Sequence, residues 1–301
     1  MDILNFGSTN IDIIFSVDHI VKPRETIGST AMTFSTGGKG ANQSVGVAKA
    51  GGHAVYHAGK IGPDGLWIRE KLASMGVSTD YLTVGETPTG QAIIQVAKDG
   101  QNSIVLYPGA NYEFTEEEID SVLSHFSAGD WVMLQNEINN IAYIMKKSQE
   151  KGLSICFNPA PFDDSVLDLP LEHISLFVLN EVEAEGLSGY ADVESAMDNL
   201  TKRFTESEII ITLGGSGVRY GKGSSIRYQF GTWDVPVVDT TAAGDTFIGC
   251  FVANRAKGKS AKESLEIASA ASSVTVMREG AMDSIPTPDE FSLLDAYSLT
   301  E

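Results

Sequence analysis

Short apolar runs at residues 3–6, 55–58, 131–135, 154–157, 174–179 and 208–213 alternate along this chain with stretches whose apolar residues recur at helical spacing. Strands that are apolar at nearly every position must be covered on both faces, which is the condition of a buried parallel sheet. The alternation therefore predicts an α/β fold, a three-layer α/β/α sandwich on a mostly parallel sheet. Helix punctuation agrees with it. One helix is expected after Pro63-Asp64 and stops at Gly76, another runs over about 41–50 and ends at Gly51-Gly52, and Ser260-Ala261-Lys262-Glu263 is a capping box opening a late helix.

Two segments break this rhythm. Residues 11–17 with 26–34, and 91–98 with 102–107 across Asp99-Gly100, alternate like antiparallel strands. They are expected to form a small antiparallel β-lid, spanning about 11–34 and 90–108, attached to a single α/β domain covering 1–301. A partly apolar flap beside an active site also suits a subunit contact. A 42% hydrophobic content is ample for such a core.

In doubly wound sheets, ligands bind beyond the carboxyl ends of the strands. The residues that follow the apolar runs are Gly7-Ser8-Thr9-Asn10-Ile11-Asp12, Asn136-Glu137, Asn158-Pro159-Ala160-Pro161, Asn180-Glu181-Val182-Glu183 and Gly214-Gly215-Ser216-Gly217. Asparagine, carboxylate or glycine thus gathers at one edge. Asn10 and Asp12, two apart in an extended segment, point to one side and suit neighbouring hydroxyls of a polyol. In Gly37-Gly38-Lys39-Gly40-Ala41-Asn42 the glycines permit close backbone approach, Lys39 offers a cation and Asn42 both donates and accepts. Asn180 and Glu183 fit a Mg2+ and phosphate role, since Mg2+ keeps its waters and needs few oxygen ligands.

The most specific stretch is Asp239-Thr240-Thr241-Ala242-Ala243-Gly244-Asp245. Residues 233–238 lead into it as an expected short strand, and Phe247, Ile248, Phe251 and Val252 follow at helical spacing. The Ala242, Ala243 and Gly244 amides then form an anion hole at a helix N-terminus, with Asp245 beside a bound phosphate as a candidate base.

With 21 basic residues against 40 acidic ones, the net charge of −19 repels nucleic acid and anionic membranes, so neither is an expected partner. Cys156 and Cys250, the two cysteines, read as packing groups in a reducing cytoplasm. The N-terminus carries an acid early, lacks a basic leader and reads as a first strand; no run is long enough to cross a membrane. Ala253 to Ser260 falls one residue short of a Walker A loop and lies in a helical pattern, the five histidines lack metal-ligand spacing, and Ser216 lacks the nucleophile-elbow pattern.

Taken together, Gly37-Gly38-Lys39-Gly40-Ala41-Asn42-Gln43, Asn158-Pro159-Ala160-Pro161, Asn180-Glu181-Val182-Glu183 and the 239–245 stretch resemble, in order and over nearly the whole chain, the ribokinase-like (phosphofructokinase B) family of carbohydrate kinases. The resemblance implies phosphoryl transfer from MgATP to a sugar hydroxymethyl group, with ribose the first candidate, and a lid that pairs two subunits into a homodimer. By position, it implies Asp245 as base with the Ala242, Ala243 and Gly244 amides, and sugar contacts from Asn10, Asp12, Gly38, Lys39, Gly40, Asn42 and Glu137. Nucleotide contacts are implied for Asn180, Glu183, Thr212, Gly214, Gly215, Gly217 and Gly244, with Glu183 reaching Mg2+ through water. A K+ site is implied at Asp239, Thr241, Thr275, Arg278, Gly280 and Ser284, several acting through backbone carbonyls. The alternatives are a nucleoside kinase of the same fold, a kinase for 2-deoxyribose, fructose or a keto-deoxy sugar acid, and a catalytically silent sugar sensor. A nicotinamide dehydrogenase fails because Gly7-Ser8-Thr9-Asn10 lacks the G-x-G-x-x-G spacing.

Overall fold

The computed structural model describes residues 1–300. Its first half runs β1 (Ile3–Phe6), β2 (Asn10–Val17), β3 (Ala31–Gly37), α1 (Lys39–Ala50), β4 (Val55–Ile61), α2 (Leu66–Ser74), β5 (Leu82–Val84), β6 (Gly90–Ala97), β7 (Asn102–Tyr107) and α3 (Glu116–Leu123). The second half adds β8 (Trp131–Gln135), α4 (Ile141–Glu150), β9 (Ser154–Asn158), β10 (Leu176–Asn180), α5 (Glu181–Ser188), α6 (Val193–Arg203), β11 (Glu208–Thr212), β12 (Val218–Lys222), β13 (Ile226–Phe230), α7 (Ala243–Ala256) and α8 (Ala261–Thr275).

The large sheet has the order β13-β12-β11-β10-β9-β8-β1-β4-β5. From β11 to β5 every pairing is parallel, and β12 and β13 extend the edge as an antiparallel hairpin. Helices cover both faces, as the apolar runs require. Ile3 joins the layer that holds Val45, Ile68 and Phe251, whereas Leu4 and Phe6 join the opposite layer with Ile144, Leu187 and Leu200. Full burial of side chains such as Phe251 is worth roughly 1.5–3 kcal/mol each. The chain winds from β1 outward to β4 and β5, then returns to place β8 on the other side of β1. A crevice opens at this switch point.

The smaller sheet has the order β3-β2-β6-β7. Its two hairpins are antiparallel as expected, but a parallel β2–β6 pair joins them, and β3 starts at Ala31 because residues 18–30 form a long connection. Directly paired residues share a face. Asp12 therefore shares a face with Ala92 and Leu106, while Phe34, Ile13, Ile93 and Val105 form an apolar row across the other face.

One expected strand is absent. Within residues 233–238 only Trp233 makes an isolated bridge, to Leu299; the Val238 and Asp239 amides donate to the Val276 carbonyl. Val237 and Val238 are exposed, since β13 has already taken the edge of the sheet. The decoy at Ala253 to Ser260 begins inside α7, where no phosphate loop can form.

Candidate active site

The site is assembled by one helix crossing. Gly46 of α1 meets Gly249 of α7 so closely that a Cβ on Gly249 would lie 2.5 Å from the Gln43 carbonyl oxygen and 2.8 Å from the Val47 nitrogen. That approach brings the first turn of α1 to the first turn of α7. Asn42 Nδ2 donates to Asp245 Oδ2 at 2.9 Å, and Gln43 Nε2 donates to Asp245 Oδ1 at 3.0 Å. Asp245 is half-buried and faces a cavity of about 230 Å3 shared with Lys39, Asn158, Asn180, Glu183 and Thr212.

Around Asp245 the backbone is shaped for an anion. Ala242 stands at φ 59° as the residue before α7, so the chain turns sharply into the helix. Ala243, one of the three expected donors, gives its N–H to the Thr240 carbonyl at 3.2 Å. Among the described residues the amides of Ala242, Gly244 and Asp245 have no protein acceptor, and Gly244 borders open space. The amides without a protein acceptor are thus those of Ala242, Gly244 and Asp245 rather than the expected Ala242, Ala243 and Gly244. The dipole of the 14-residue helix α7 adds to these amides.

At the side expected to contact the sugar, Asn10 and Asp12 begin β2 directly after β1, and Glu137 follows β8. Glu137 Oε2 accepts from the Lys39 amide at 3.1 Å and from Ser8 Oγ. Gly38 holds φ 94° ahead of α1, which lets Lys39 open the helix against this carboxylate. Burial pushes the Asp12 carboxyl up to about 7, helped by Glu137 and opposed by Lys39. Burial likewise raises Glu137, with Lys39 acting against it. Burial also works against the Lys39 ammonium, yet Asp245, Glu137, Glu183 and Asp12 outweigh it and hold the lysine charged. A second cavity, of about 170 Å3, lies between Asn10, Tyr107, Tyr112 and Glu137.

On the other side, Asn180 caps α5 as part of a capping box. Its side chain accepts from the Glu183 amide, while Glu183 accepts from Asn180 N at 2.9 Å, Asn180 Nδ2 at 2.8 Å and Asn158 Nδ2 at 3.1 Å. Burial raises the Glu183 carboxyl. Thr212 lines the larger cavity. Gly214, Gly215 and Gly217 do not; they form the turn into β12 just beyond it.

Asp239 ties two loops together, accepting from Thr241 N and Oγ1 with one oxygen and from Gly280 N with the other. The remaining side chains expected at the K+ site turn elsewhere. Arg278 pairs with Glu290 at 2.6 Å, Thr275 Oγ1 donates to Ala271 O, and Ser284 Oγ donates to Ala281 O. What these loops can offer a cation is main-chain oxygen.

A model of the pfkB family of carbohydrate kinases matches residues 2–288. The chain belongs to that family. It is an ATP-dependent carbohydrate kinase. It is 35% identical to the ribokinase of Haemophilus influenzae over 94% of the chain and 95% of that protein. The crystal structure of ribokinase from Cryptococcus neoformans in complex with ADP superposes with a TM-score of 0.86 at 35% identity, covering 97% of this chain and 98% of that one. Arabidopsis thaliana ribokinase complexed with ribose and ATP gives 0.84 at 30% identity, with 99% of each chain covered. The expected fold, a large mostly parallel sheet with a smaller lid sheet, is that of these kinases.

Several contributors escaped the sequence reading. Gln43 adjoins Asn42 in the glycine-rich motif, but nothing in its spacing marks it as a partner of Asp245. Asn111 donates to Asn10 Oδ1 at 2.8 Å and accepts from Thr9 N at 2.9 Å, from a segment that carried no motif. Asn158 was visible as a polar residue at a strand end, though not as the link to Glu183.

Proposed function

We propose that this kinase phosphorylates ribose at its hydroxymethyl group, using MgATP. The observation that carries the reading is Asp245, set by Asn42 and Gln43 at the N-terminus of α7 where the sugar-side and nucleotide-side residues converge. The ribokinase relatives support the choice of sugar. Asn10, Asp12, Gly38, Lys39, Gly40, Asn42 and Glu137 hold the sugar, and Asn111 keeps the Asn10 carboxamide turned. The sugar oxygen attacks the γ-phosphorus, the bond from phosphorus to the bridging oxygen breaks, ADP leaves, and the hydroxyl proton passes to Asp245. The amides of Gly244 and Asp245, with Lys39, stabilise charge on the migrating group.

Glu183 supplies hard oxygen beside the nucleotide cavity, but three N–H donors already engage its carboxylate. That donor set fits Mg2+ held through water. Bound there, Mg2+ neutralises charge on the phosphate oxygens. The 239–241 and 276–280 loops fit K+ through main-chain oxygens and would steady the entry to α7. The body and the lid at about 11–34 and 90–108 act as one domain in a cytoplasmic enzyme, and the apolar lid row pairs two copies as a homodimer.

ADP release measured over ribose, 2-deoxyribose, fructose and adenosine, with and without K+, tests the substrate reading. Ribose is expected to give the highest kcat/KM; a preference for adenosine would overturn it. Asp245→Asn should lower kcat by about 10²- to 10⁴-fold while ADP binding persists. Normal turnover by that variant would remove Asp245 as the base.

A further inference from the structure

Three adjacent strands of the large sheet each carry a fully buried polar side chain beneath α1: Asn5 in β1, His57 in β4 and Gln135 in β8. Asn5 Nδ2 donates to the Gly40 carbonyl at 2.7 Å and to Ser44 Oγ at 3.0 Å. Its oxygen must then face Gln135, which donates to it at 3.1 Å. Gln135 Nε2 also donates to Gln43 Oε1 at 2.7 Å, so the Gln43 nitrogen is turned toward Asp245 Oδ1. A carbonyl can only accept, so the orientation of every amide in this chain follows from the Gly40 oxygen. Reversing Gln43 would set its oxygen against the carboxylate and its N–H2 against that of Gln135. Gln135 Oε1 is buried with no protein donor among the described residues.

We infer that Gln43 is a positioning residue for the catalytic base, fixing the rotation of the Asp245 carboxylate, and that Gln135 and Asn5 lock the Gln43 amide in the donating orientation. This rests on the reading of Asp245 as the base. With Gln43 in place, one carboxylate oxygen is held from α1's buried face and the other by Asn42. The lone pairs left over point toward the acceptor hydroxyl, and the carboxylate does not rotate away between turnovers.

The test compares Gln43→Met, Gln135→Met and the double variant by steady-state kinetics, each checked for folding by thermal melting and for ADP binding. Gln43→Met should lose roughly ten- to a hundredfold in kcat, the scale of a misplaced reacting group, with the KM values for ribose and ATP within about twofold of wild type. Gln135→Met should show a smaller loss of the same kind. Because Gln135 acts through Gln43, the double variant should be no slower than Gln43→Met alone. A wild-type kcat in folded Gln43→Met, a loss confined to KM, or losses that multiply in the double variant would each overturn the inference. Should Gln43→Met fail to fold, Gln135→Met must still lower kcat at constant KM, or the inference fails. Asp245→Asn measured alongside separates the two readings: if it collapses while Gln43→Met is normal, only the positioning role is lost, whereas an active Asp245→Asn removes the base itself.

Discussion

Asp12 shows how a residue proposed to bind the sugar weakens the fold that carries it. Its carboxyl is raised from 3.8 to about 7, first by burial and then by Glu137. The folded state therefore holds this proton more tightly than the unfolded chain does. Below pH 3.8 both states are protonated and the residue makes no difference; as pH rises toward 7 the folded state loses stability, and above 7 the loss is complete. Asp12→Asn should accordingly raise the melting temperature of the empty enzyme at pH 8, by at most a few kcal/mol in stability, and leave it nearly unchanged at pH 4. The same substitution should weaken sugar binding, seen as a higher ribose KM. An equal shift in melting temperature at both pH values would refute the ionic account. His57 belongs to a different class. Burial alone pulls it down to about 4, so between Thr9 and Ser44 it serves as a neutral polar spacer.

Between elements, the decisive contact is the crossing of α1 and α7. Gly249→Ala would put a methyl group against the Gln43 carbonyl and the Val47 amide, both of them backbone that cannot swing aside. The helices must part, which for overpacking of this kind costs about 1–3 kcal/mol. Stretching the Asn42 and Gln43 bonds to Asp245 should also lower kcat, so thermal melting and turnover should fall together. A variant with wild-type melting and wild-type kcat would mean the crossing tolerates a wider gap. Gly46 and Gly249 lie outside the glycine-rich motif of residues 37–42, so the motif's glycines do not announce this crossing. That these two helices meet is not legible in sequence, because residues 46 and 249 are far apart along the chain.

Across the whole molecule, the lid stands out for a face that its own chain leaves uncovered. Phe34, Ile93 and Val105 are 59%, 39% and 64% exposed, an apolar row of the kind that marks an interface. Asp12 points to the opposite face of the same sheet, so the proposed pairing of two lids and the proposed sugar contact would fall to one element. If the proposed homodimer forms there, Val105→Asp should shift the sedimentation mass from two chains to one and raise the ribose KM. Wild-type protein that sediments as a single chain would exclude the pairing. Among the described residues, no helix is long and apolar enough to cross a membrane.

Sequence by itself determined the layered α/β class, because fully apolar strands tolerate no other covering, and it picked out the polar segments that gather around Asp245 through residues whose chemistry is local: glycines at tight turns, a carboxylate at a helix start, an asparagine cap. Tertiary structure alone decided the edge hairpin that displaced the expected strand before Asp239, the shift of free amides from Ala243 to Asp245, and the buried amides under α1. Those features depend on which strand claims a sheet edge and on which side chains meet across the core. The buried amides in particular join residues up to 202 positions apart, and no short-range pattern records them.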